Sequence, residues 1–164
     1  MIEHWDRSRE KARELRLDQW GTTEEVAVMA APLRWARNRR EATAILKEIA
    51  GHSPFTSKSG LTARLQRRSV GKLVSAVAVH SSFAPEAHYQ AAANVDKYFS
   101  NAIEPWLFEL NPNKNNEKLK ARRYLFAPME YHGRIAIIKF TVKEYHGAEN
   151  KLYSIEALDI IQKK

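Results

Sequence analysis

The sequence predicts an α+β fold in which N-terminal helices pack on a roughly four-stranded antiparallel sheet. Three observations predict it. Helical spacing of apolar residues dominates the first hundred positions. From position 123 onward, three stretches instead alternate apolar and polar residues in the manner of strands. The breaks between those stretches, a His132-Gly133 turn and a loop at 145–150, are short enough to join antiparallel neighbours.

Positions 3–18 are densely charged with both signs, and Trp5, Ala12, Leu15 and Trp20 give only a thin apolar stripe, so 1–22 reads as a charged helical linker ahead of a single domain at 23–164. Gly21 ends that helix. Thr22-Thr-Glu-Glu25 is a capping box, in which a Thr hydroxyl and a Glu three residues later satisfy the free backbone NH groups of a helix start. The helix it opens runs to Ala31, is interrupted at Pro32 and continues to Arg37. A further helix spans 39–50, with Ala42, Ile45, Leu46 and Ile49 at helical spacing and Gly51 as its stop.

After a loop at 52–60, Leu61, Ala63 and Leu65 alternate with Thr62, Arg64 and Gln66, giving a strand with Arg64 on its wet side. The stretch 72–79 fits either a strand or a short helix. Pro85 suits the first turn of a helix that runs to about 103, with Ala87, Ala91, Val95, Tyr98, Phe99 and Ala102 on one stripe. A polar loop at 111–116 leads to strands at 123–127, 135–143 and 152–160.

With 164 residues, 44% of them hydrophobic, the chain can bury one ordinary core. No apolar run approaches the roughly 20 residues that cross a bilayer, so no membrane is expected as partner. Zero cysteines exclude disulfides, thiol nucleophiles and thiolate metal sites. The six histidines lack ligand spacing with carboxylates, no glycine-rich phosphate loop occurs, and Glu156 and Asp159, three apart, read as facing opposite sides of the last strand. No metal and no cofactor are expected.

The net charge of +8 is concentrated. Ten Lys and Arg between 34 and 72 face two Glu, and eight between 114 and 143 face two more. Such blocks favour a polyanionic partner, because neutralising phosphates releases counterions. Within the second block, Lys139, Thr141 and Lys143 share one face of a strand whose other face is Ala136, Ile138, Phe140 and Val142. Ile135 and Ile137 make the near half of the first face apolar, which suggests a groove open at the far half. Phosphate suits that groove; so does a solvated strand face paired with Glu156.

His88 falls on the apolar stripe of its helix, near the start, where burial favours the neutral ring of a general base or a histidine bonded to backbone. His80, His132 and His146 read as surface residues. A set of His, Lys, Arg, Thr and Tyr without a metal can cleave RNA, because the 2′-OH of the substrate is itself the nucleophile. Arg122, Arg123, Arg64 and Lys72 then serve as phosphate contacts, and Tyr124 or Tyr153 stacks on a base or packs in the core.

Five blocks in order, Ser59-Gly-Leu-Thr-Ala-Arg-Leu65, Pro85-Glu-Ala-His-Tyr-Gln-Ala-Ala-Ala-Asn94, Arg123-Tyr-Leu-Phe-Ala-Pro-Met129, Ile138-Lys-Phe-Thr-Val-Lys-Glu144 and Leu152-Tyr-Ser-Ile-Glu-Ala157, resemble a large polyvalent protein-associated domain of phage and mobile elements. Such domains are similar to the barnase, EndoU, colicin and RelE group of metal-independent ribonucleases, with helices on a four-stranded antiparallel sheet. The resemblance implies an endoribonuclease toxin and singles out His88, Lys139, Thr141, Lys143, Tyr153 and the strand at Arg123 without assigning their roles; the reading of the residues makes His88, Lys139, Thr141 and Lys143 the expected catalytic set and Arg122, Arg123, Tyr153, Arg64 and Lys72 the expected substrate contacts. The resemblance implies RNA, tRNA among the candidates, as substrate, a cognate immunity or antitoxin protein as partner, and the bacterial cytoplasm as site of action. It implies a C-terminal piece of a larger protein. A non-catalytic module that binds nucleic acid or another protein is the alternative.

Overall fold

A computed structural model describes residues 2–105, 109–110 and 119–161 of the chain. The expected loop at 111–116 and the side chains of 2–7, Trp5 among them, lie outside what is described. The helices are α1 (Ile2–Glu14), α2 (Thr23–Ala30), α3 (Arg39–Ala50), α4 (Val70–Leu73), α5 (Ala76–His80), α6 (Pro85–Ala93) and α7 (Val95–Ser100). Two short strands, β1 (Phe55–Thr56) and β2 (Thr62–Ala63), form a ribbon. The main sheet has three long strands, β4 (Leu119–Tyr131), β5 (Arg134–Tyr145) and β6 (Lys151–Ile161), with the two-residue β3 (Glu109–Leu110) at the β4 edge. All its pairings are antiparallel.

The capping box forms as expected: Glu25 N donates to Thr22 Oγ1 at 3.2 Å, and Thr22 N donates to Glu25 Oε2 at 3.0 Å. Leu61, Ala63 and Leu65 are buried while Thr62 is exposed, as their alternation requires. The β4–β5 turn has His132 at φ 50° and Gly133 at φ 76°, both in the left-handed region that a two-residue hairpin turn demands.

Two expectations are corrected. Residues 31–38 are not helical, because Asn94 Oδ1 accepts from the backbone N–H groups of Leu33 and Arg34 and holds that segment as a loop. The single helix expected at 85–103 breaks at Asn94, whose backbone leaves the helical region (φ −124°, ψ 26°) as its side chain turns to that loop. The stretch 72–79, which fits either a strand or a short helix in sequence, takes the helical form: it runs from the end of α4 into α5, with Ser75 capping the second helix.

Both faces of the sheet are covered. On one face Leu125, Ala127, Ile138, Phe140, Val142 and Ile155 pack with Leu46, Leu73, Tyr98 and Phe99. On the other, Phe126, Ile135, Ile137 and Leu158 pack beneath Ala12 of α1, Leu15 just after it, Trp20, and Val26 and Ala30 of α2. A register shift between Ile137 and Ile138 places Glu156 opposite Lys139 and Asp159 opposite Ile137. The two acidic positions therefore sit across from residues two apart on β5; the Asp159 side chain, and with it the expectation that the two face opposite sides, lies outside what is described.

Phe140 is fully buried and meets Phe99 edge to face at 5.4 Å between ring centroids. Phe140→Ala should lower unfolding stability by about 3–5 kcal/mol in urea titrations. A loss below about 1 kcal/mol would contradict this packing.

Candidate nucleic-acid interface

Lys139, Thr141 and Lys143 share a face of β5, yet they meet different surroundings. Lys139 is only 6% exposed: its Nζ donates to Ser8 Oγ of α1 at 2.8 Å and lies 4.7 Å from the Tyr124 ring centroid. Thr141 is buried between its register partners Tyr124 and Ser154. The expected groove is thus closed over these two, because α1 crosses this face. Lys143 alone of the row reaches solvent.

His88 lies on the opposite side of the sheet. It is fully buried, with Nε2 donating to the Leu73 carbonyl at 2.6 Å and Nδ1 accepting from Ser82 Oγ at 2.7 Å. Ser82 Oγ in turn accepts from Ala157 N at 2.9 Å. The ring thereby ties α6, the end of α4 and β6 together, and no nitrogen is left for a substrate proton. Burial lowers its pKa from the ordinary 6.5, and the Leu73 hydrogen bond, which favours the proton, offsets only part of that. The sheet separates His88 from Lys139, so the expected catalytic four do not meet in one cleft.

Two expected phosphate contacts are engaged elsewhere. Arg123 makes a two-pronged contact with Glu104, at 2.8 and 2.5 Å, and lies 3.6 Å from Glu144, which raises its pKa. Arg64 pairs with Glu149 at 2.5 Å while its backbone bridges to β6.

What gathers instead is a row across the sheet. Arg122 on β4 is the register partner of Lys143 on β5, and Lys143 is the register partner of Lys151 on β6. Cross-strand partners share a face, so three basic side chains leave the sheet side by side, their Cβ atoms roughly 5 Å apart, at the β5–β6 turn end. Among the described residues none of the three has a carboxylate within 4 Å. The two lysines turn to aromatic rings: Lys143 Nζ lies 3.5 Å from the Tyr153 centroid, and Lys151 Nζ lies 5.0 Å from that of Tyr145. Exposed Lys72 approaches Tyr153 at 5.8 Å. Tyr153 itself sits at a bulge of the edge strand and is 41% exposed.

A family model for large polyvalent protein-associated domain 3 matches residues 36–153. The chain belongs to that family. Comparison with curated proteins and with solved structures finds no match. The span matched to large polyvalent protein-associated domain 3 includes Lys72, Arg122, Lys143, Lys151 and Tyr153 and leaves out α1, which covers Lys139. Among the described residues of this polyvalent protein domain, no helix is long and apolar enough to cross a membrane.

Sequence reasoning found Arg122, Lys143, Lys72 and Tyr153 but missed Lys151 and Tyr145. The available signal was symmetry: 143 and 151 lie equally far from Gly147, the centre of the hairpin turn.

The buried His88 clamp has a pH signature. Above pH 6.5 the ring is neutral whether folded or not, and the clamp contributes fully. As pH falls below 6.5, the unfolded chain takes up a proton that the folded ring refuses, and stability declines. His88→Gln should cost about 1–3 kcal/mol at pH 7.5 and show a smaller decline between pH 6.5 and 5. Equal pH profiles for variant and wild type in urea titrations would refute the clamp.

Proposed function

We propose that this domain binds single-stranded RNA at the β5–β6 turn end of its sheet, with phosphates along Arg122, Lys143 and Lys151 and a base stacked on Tyr153. The observation that carries the reading is the like-charged row. Three cations in register repel one another, and like charges directly opposite destabilise a strand pair. A polyanion relieves that repulsion and releases its own counterions. The half-exposed tyrosine adds a sequence-tolerant stacking surface.

A second reading, metal-independent endoribonuclease activity, is favoured by the spacing of the row. Two cations one strand apart can meet a single phosphate and stabilise charge as the RNA 2′-oxygen attacks it and the bond to the 5′-oxygen breaks; the 2′-OH proton passes to water, and the leaving 5′-oxygen takes a proton from the adjacent Tyr153 phenol, which water restores. The layout of helices on a four-stranded antiparallel sheet supports this reading, as does membership of a polyvalent-protein family. In it Lys143 and Tyr153 take the central roles, and Lys139, Thr141 and His88 support the sheet. The domain then acts in the bacterial cytoplasm as part of a larger polyvalent protein, and an acidic immunity partner covers the same row.

Fluorescence anisotropy with a labelled single-stranded RNA tests the binding. Lys143→Gln and Lys151→Gln should each reduce the slope of log affinity against log salt by roughly 0.7, and Tyr153→Ala should weaken binding by about 1–3 kcal/mol. Wild-type affinity in all three variants would exclude this face. Incubation of RNA with EDTA present separates the two readings: fragments that disappear with Lys143→Gln establish cleavage, and intact RNA at saturating protein leaves binding alone.

A further inference from the structure

Four side chains, Asn94 at the α6–α7 junction and three of α7, are spent on holding one surface loop. Asn94, fully buried, accepts from the N–H groups of Leu33 and Arg34 at 2.8 and 2.9 Å and donates to the carbonyls of Arg34 and Gln90, both at 2.9 Å. All four of its hydrogen-bonding positions are thereby used. Asp96 holds the Arg34 guanidinium with two contacts, at 2.8 and 3.0 Å. Lys97 Nζ donates to the Ala31 carbonyl, and Tyr98 OH donates to the Ala30 carbonyl at 3.2 Å. The loop so fixed leaves Leu33 62% exposed and Trp35 72% exposed. Large apolar side chains held rigidly in water are the anchors of contact surfaces.

Beside Trp35 is a pocket of about 550 Å³, closed on its far side by the β4–β5 turn. Glu86, Gln90, Glu130, Tyr131 and His132 also line it. In a chain of net charge +8 it holds two carboxylates, and the one arginine among the described residues that reaches it, Arg37, is already paired with Glu41 at 2.9 Å. Glu86 is three-quarters exposed, with Tyr131 OH at 3.4 Å and His132 Nε2 at 3.9 Å. An exposed indole beside carboxylates is complementary to a flat cation, which can stack on the ring and hydrogen-bond to the acid at once.

We propose that this pocket binds an arginine-bearing peptide segment of a partner protein, its guanidinium stacked on Trp35 and hydrogen-bonded to Glu86. Arginine fits better than lysine, because only a planar group uses the ring face and the carboxylate together. The site lies at the opposite end of β5 from the cation row, about 30 Å along the strand from Arg134 to Lys143 at roughly 3.3 Å per residue, so both can be filled at once. It reads a basic ligand, where the row reads an acidic one.

The test is an NMR titration of the full chain with a blocked pentapeptide of glycine and serine around one central arginine, followed at the Trp35 indole and the His132 and Gly133 amides. These signals should shift saturably, and Glu86→Gln and Trp35→Ala should each weaken binding by roughly threefold or more. Circular dichroism of both variants should match wild type, since both side chains are mostly exposed. The peptide with citrulline in place of arginine should not bind. Absence of shifts, equal binding of the citrulline or an acidic peptide, or wild-type affinity in both variants would overturn the proposal. RNA affinity should be unchanged in both variants, so that failure here and failure of the RNA reading are separately visible.

Discussion

The packing of α1 and α2 on the second face of β5 encloses Lys139 and Thr141 and so decides where this domain can meet a ligand. A strand covered on both faces has little to offer a substrate along its length. What stays open are its two ends, since the β6 edge is bridged by Arg64, Ser82 and Phe83. Burial of an ammonium is costly unless it finds partners, and Lys139 finds Ser8 Oγ, the Tyr124 ring and, opposite it in register, Glu156. The cation that could have been a phosphate contact instead helps fix α1 to the sheet.

At one end the chain tolerates an electrostatic cost that its neighbouring arginines avoid. Arg122, Lys143 and Lys151 face one another without carboxylates among the described residues, moderated by the rings of Tyr153 and Tyr145. Nearby cations with purely structural roles are treated differently: Arg123 and Arg64 are each matched to a glutamate. The contrast within one small region distinguishes cations that hold the fold from cations left for something else. At the far end, carboxylates and an exposed indole collect around a turn whose His132 accepts a left-handed backbone. The molecule is thus polar along β5 in charge as well as in chain direction.

Much of the fold was legible because its signals are local. The Thr22–Glu25 capping box, the alternation at Leu61, Ala63 and Leu65, and the alternation of β5 each depend on residues a few positions apart. What was not legible depends on partners distant in sequence. Asn94 breaks a helix that its neighbours would continue, because the loop it holds lies 60 residues upstream. Lys139 looks like an open surface residue until α1, 131 residues away, is laid over it. Arg122 and Arg123 read as one basic pair, yet as neighbours in a strand they point to opposite faces, one into the cation row and one to Glu104. His88 was correctly placed on the buried stripe, but its hydrogen-bond partners, Leu73 and Ser82, had no signature of their own in the sequence.

The central claim is that function sits at the β5–β6 turn end and not along the β5 face or at His88. An NMR footprint of a short single-stranded RNA on the isotopically labelled domain tests it most directly. The account predicts that the largest shifts fall on Lys72, Arg122, Lys143, Lys151 and Tyr153, with Lys139, His88 and the turn at His132 unmoved. Shifts centred on Ser8 and Lys139, or on His88 and Ser82, with the Tyr153 region silent, would contradict it.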